Sequence, residues 1–76
     1  MKKNEKKILI EKILFKIKPD VKKKNYNNNL INDGIIDSFD IVRIISEIET
    51  STGNIKKNMI KRSTFSSIDN MMKLIK

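Results

Sequence analysis

The chain has no cysteine, no histidine and no tryptophan among its 76 residues. Without cysteine, neither a disulfide nor a thiolate metal site can form. Without histidine, the usual general base, the usual metal ligand and the usual partner of a nucleophile are missing together. A self-contained hydrolase or metalloenzyme is therefore disfavoured, and the chain is not read as an enzyme. Aromatic residues are also scarce, with one Tyr and three Phe. No apolar run approaches the roughly 18 residues that a membrane-spanning helix requires. The basic start, Met1 to Lys7, followed by Ile8-Leu9-Ile10, has the outline of a signal peptide. Glu11 and Lys12 interrupt that apolar stretch, and no small-residue cleavage site follows. The expected location is the cytoplasm.

What remains is short, helical in pattern and basic. This length allows one domain, residues 1–76, with a small core. Lys, Asn and Ile make up about half of the residues, a composition resembling coding drift in an AT-rich genome. The net charge is +8, but it is unevenly distributed. Residues 1–24 carry +7 and residues 51–76 carry +5, whereas residues 33–50 carry −4. In that last segment Asp33, Asp37, Asp40, Glu47 and Glu49 face only Arg43. General basic drift has no reason to spare one segment, whereas a segment that docks on basic partners has reason to stay acidic.

Apolar periodicity predicts an all-α fold, a small four-helix bundle of three main helices plus a short third one. Asn4 to Ile17 reads as the first helix, with Leu9, Ile10, Ile13, Leu14 and Ile17 on one arc. Pro19 disfavours helical geometry at Lys18 and ends it. A long loop follows over residues 19–37. Its Asn-rich part reads as a mobile tip, while Leu30, Ile31, Ile35 and Ile36 pin it to the core and Gly34 permits a turn. The second helix is expected from Ser38 to Thr50 or slightly beyond, with Gly53 past its end. Ile41, Val42, Ile44, Ile45 and Ile48 share its apolar arc, and Asp40, Arg43 and Glu47 lie opposite. Residues 55–60 suggest a short helical turn. Ser66 or Ser67 then caps a last helix that buries Ile68, Met71, Met72 and Ile75.

The most informative stretch is Asp33-Gly34-Ile35-Ile36-Asp37-Ser38-Phe39-Asp40-Ile41-Val42. It places the Ser38 hydroxyl where a polar turn enters an apolar-periodic segment. A helix start offers unpaired N–H groups and the positive end of a macrodipole, so a phosphate ester there is held favourably. An ordinary N-cap explains Asp37 or Ser38 equally well, because both residue types are preferred at that position. Phe39 falls outside the aliphatic arc. It is either a tolerated exposed aromatic or a docking contact.

The Asp37-Ser38-Phe39-Asp40 run, preceded by Gly34-Ile35-Ile36, resembles the phosphopantetheine attachment motif of acyl carrier proteins. Chain length, helix order, the long first loop, Glu47 and Glu49 further along the helix, and the Phe65-Ser66-Ser67-Ile68 lead-in are similar to that family as well. The resemblance implies that a phosphopantetheinyl transferase attaches the 4'-phosphopantetheine of coenzyme A to Ser38. The terminal thiol of that arm then carries an acyl or aminoacyl group as a thioester. Asp37 is implied to fix the helix start and to offer a carboxylate to the metal-dependent transferase. Phe39, Asp40, Arg43, Glu47 and Glu49 are implied to dock partners, namely a loading ligase and an acyltransferase or synthase, on a monomeric carrier. Typical members are acidic throughout, so the basic flanks here favour a dedicated carrier of a specialised pathway over one of primary fatty acid synthesis, and both stay open. The D-alanyl carrier proteins of cell-wall modification have a similar Gly-hydrophobic-hydrophobic-Asp-Ser run.

The competing class is a small basic helical protein that binds nucleic acid, with Lys2, Lys3, Lys6, Lys7 and Lys22 to Lys24 on phosphates. No recognition-helix pattern supports it, and the best helix is acidic. Peripheral membrane attachment through the first helix is disfavoured because its apolar arc is needed for the core.

Overall fold

The computed structural model describes residues 1–21, 26 and 29–76. Three α-helices form, α1 (Lys3–Ile17), α2 (Ser38–Thr52) and α3 (Ile68–Met72). Two 3-10 segments, Lys57–Met59 and Arg62–Ser66, lie between α2 and α3. The described residues contain no strand, so the all-α expectation holds. Most of the Asn-rich loop, with Lys22 to Lys24, lies outside the described residues.

Helix α1 begins where the Glu5 carboxylate accepts the Lys2 backbone N–H at 3.2 Å. It ends as expected at Ile17, because Pro19 follows and the Lys18 N–H closes the last turn on the Leu14 carbonyl. Its arc buries Ile10, Ile13, Leu14 and Ile17, with Leu9 half-buried. Ile8 and Phe15, at the intervening positions, stay exposed.

Helix α2 ends in a Gly53 cap with φ +74°, a left-handed geometry that glycine adopts without a Cβ penalty. Its buried face differs from the expected arc. Val42 is 66% exposed, whereas Asp40 is only 3% exposed. The buried row is Asp40, Ile44 and Ile48, spaced four residues apart, with Ile41 and Ile45 half-buried at its edge. The helix is thus rotated toward Asp40 and away from Val42. An arc drawn through aliphatic residues alone places its centre too close to Val42, because it gives no weight to a buried carboxylate.

The connection into α2 is ordered by its backbone. The Asn29 side-chain oxygen accepts N–H groups from Ile31 and Asn32, at 3.2 and 3.0 Å. Leu30 donates to the Ser66 carbonyl at 2.8 Å, and its own carbonyl accepts from both Ile35 and Ile36. Leu30 and Ile36 are buried and Ile31 and Ile35 partly so, which is how four aliphatics hold this segment on the core.

The C-terminal third departs from a regular bundle. Ser67 caps α3 by accepting the Asn70 N–H at 3.1 Å, but the helix stops at Met72 rather than running through Ile75. The Leu74 carbonyl instead accepts the Lys56 N–H at 2.8 Å, and the Leu74 and Ile75 N–H groups close tighter three-residue turns. Leu74 and Ile75 are both buried, and this tightening turns two adjacent residues inward together. Short 3-10 segments take the place of a further regular helix, so the described chain is a small three-helix protein with 3-10 connections. The buried Phe65, Ile55, Met71 and Leu74 complete the core.

Candidate functional site

Two carboxylates shape the start of α2. Asp37 is the N-cap, with extended backbone (φ −110°, ψ −177°), and its Oδ1 accepts the Asp40 N–H at 3.0 Å. Asp40, at the third helical position, returns the contact, its Oδ2 accepting the Asp37 N–H at 3.2 Å. This reciprocal box satisfies two N–H groups that a helix start would otherwise leave without partners. Lys18, just past the end of α1, places its Nζ 3.0 Å from the same Asp40 Oδ2. The buried Asp40 side chain is therefore both hydrogen-bonded and charge-paired, as burial of a charge demands.

The Asp37 carboxyl is held below the usual carboxylate range, chiefly by the hydrogen bond from the Asp40 backbone N–H, with the Lys18 charge also contributing. Asp37 is thus anionic at neutral pH.

Ser38 is the first residue of α2 and is exposed. The cap is already formed by Asp37, so the Ser38 hydroxyl is not needed to satisfy the backbone. Phe39, next in the chain, is 78% exposed, as its position outside the aliphatic arc predicts. The exposed Val42 lies one turn beyond Ser38, so an apolar pair flanks the hydroxyl.

Two of the five acidic residues expected to make this face are paired with lysines of the α1 end. Asp40 does not point to solvent and offers no steering charge; it holds Lys18. Glu47 is paired with Lys16 of α1, with Lys16 Nζ 2.9 Å from Oε1 and 3.1 Å from Oε2. Arg43 and Glu49 remain exposed on α2, and Asp33 and Asp37 are exposed before it. Sequence reasoning missed Lys18 and Val42. Lys18 carries no local signal, since its partner is 22 positions away in the sequence. The exposure of Val42 follows only from the rotation that buries Asp40.

No group of acidic residues that could hold a metal ion occurs among the described residues. No described helix is long and apolar enough to cross a membrane. Compared with protein-family models, curated proteins and solved structures, the chain matches none of them.

Proposed function

We propose that the protein is a carrier that bears a 4'-phosphopantetheine arm on Ser38 and presents an acyl or aminoacyl group to partner enzymes. The observation that carries this reading is the division of labour at the start of α2. Asp37 makes the cap and Ser38, beside it, is exposed and left over. The cap itself accounts for Asp37 but gives Ser38 no structural task.

The arm would supply a thiol, which this cysteine-free chain lacks. The chain's own residues would do the positioning. Asp37 and Asp40 hold the helix start, so the hydroxyl stands on a fixed turn. The helix dipole favours an anionic ester there. Phe39 and Val42 offer apolar contact on either side, with Arg43 and Glu49 further along the exposed face. Glu47, engaged with Lys16, contributes less to partner docking than its place in the sequence implies.

The test is mass spectrometry after incubation with coenzyme A, magnesium and a broad-specificity phosphopantetheinyl transferase. One added phosphopantetheine is expected on the wild-type chain and none on Ser38→Ala. A folded wild-type chain that stays unmodified with several transferases would sink the proposal. Phe39→Ala should slow loading while leaving thermal stability nearly unchanged.

A further inference from the structure

The basic charge is concentrated somewhere else. Near the start of α1, Lys3 and Lys6 face Lys56, which precedes the first 3-10 segment, and Lys73, which follows α3. The four line one open groove of about 560 Å³, and none is in an ion pair with another described residue. Asp69 is the sole acid on its wall. Three stretches of chain thus bring four lysines to one groove, against the mutual repulsion that like charges experience.

The groove is not merely charged. Half-buried Met59 contributes an accessible apolar side chain to its lining, while the buried Met72 and Ile75 close its floor from the core. A smaller groove of about 180 Å³ shares Met59 and Lys73 and adds Lys61, so the basic surface continues past the first groove. Its walls are tied together by the Lys56 N–H to Leu74 carbonyl bond.

We infer that this groove docks an acidic, amphipathic peptide segment of a partner protein. Charge complementarity names the sign of the occupant, and a volume of about 560 Å³ exceeds what a compact ion fills. Methionine supplies an adaptable apolar contact for aliphatic side chains, with lysines at the rim for carboxylates. Nucleic acid fits less well, because no aromatic residue lines either part and stacking has no platform. The inference is independent of the reading of Ser38.

Fluorescence anisotropy of the full chain tests it. The probes are a labelled peptide of Glu-Glu-Leu repeats, an all-Glu peptide of equal length and a DNA oligonucleotide. Lys3→Glu with Lys73→Glu should weaken the Glu-Glu-Leu peptide by at least about tenfold through like-charge juxtaposition. Lys7→Glu with Lys12→Glu, an equal charge change at exposed positions outside the groove, should weaken it much less. Met59→Ser should weaken the Glu-Glu-Leu peptide and leave the all-Glu peptide unchanged. Equal weakening by the two lysine pairs would reduce the effect to net charge and overturn the inference. Tighter binding of the oligonucleotide than of the Glu-Glu-Leu peptide would overturn it as well. Circular dichroism confirms that each variant is folded.

Discussion

Lysines at the two ends of α1 meet different fates. Lys16 and Lys18, at its C-terminal end, are matched with Glu47 and Asp40 of α2. Lys3 and Lys6, at its N-terminal end, meet two further lysines across a groove. A helix of 15 residues separates these ends by about 22 Å, more than twice the screening length at physiological salt. The two regions are therefore electrostatically separate. The net charge of +8 misdescribes both, since one end is nearly balanced and the other is more basic than the average.

The balanced end is the easier to break. Asp40→Ala removes one arm of the capping box and leaves Lys18 without its partner. Lys18 is about one-third exposed, so the loss should be about 2 kcal/mol, below the roughly 3–5 kcal/mol of a fully buried pair. Urea unfolding monitored by circular dichroism measures it, and an unchanged midpoint would remove Asp40 from the account of the helix start.

Acid should act next, through Asp37. The Asp37 carboxyl is depressed in the folded state, so its contribution is fully present above its ordinary pKa of about 4. That contribution is lost as pH falls through the depressed folded value. NMR titration should give a midpoint for Asp37 below that of an ordinary aspartate, with the Asp40 amide signal moving in step. Asp37→Asn retains an acceptor for the cap and should abolish that step.

Glu47→Gln should cost less than about 1 kcal/mol, because Lys16 is well exposed and solvent screens the pair. Smallest of all, Lys3→Gln and Lys73→Gln should leave stability within about 0.5 kcal/mol of wild type. A marked stabilisation by either would mean that lysine repulsion strains the groove end more than its open geometry implies.

Local features were legible in the sequence and long-range ones were not. Pro19 marks the end of α1, Gly53 the end of α2 and Ser67 the start of α3, because each acts on its own few residues of backbone. The exposed Phe39 followed from helical spacing alone. Asp40 did not, because its burial depends on a lysine from another helix end. Once Asp40 turns inward, Val42 must turn outward. The residues that the last helical pattern predicts as core are buried, but the helix ends sooner, at Met72. Just beyond that end the Leu74 carbonyl accepts the Lys56 N–H, a bond that no local pattern encodes. Residues 33–42 thus announce a helix start, but the charge around it is decided by pairing across the fold.

Leu30 carries a consequence for the order in which the molecule takes shape. Its N–H is held by Ser66, while its carbonyl holds Ile35 and Ile36 just ahead of α2. The pedestal beneath Ser38 is therefore clamped by a segment nearly thirty positions further along the chain. During synthesis, α1 and α2 can emerge and begin to coil, yet the turn before Ser38 gains its anchor only after Ser66 has joined it. The shape of that turn is therefore a late feature, present only on a chain already closed on itself.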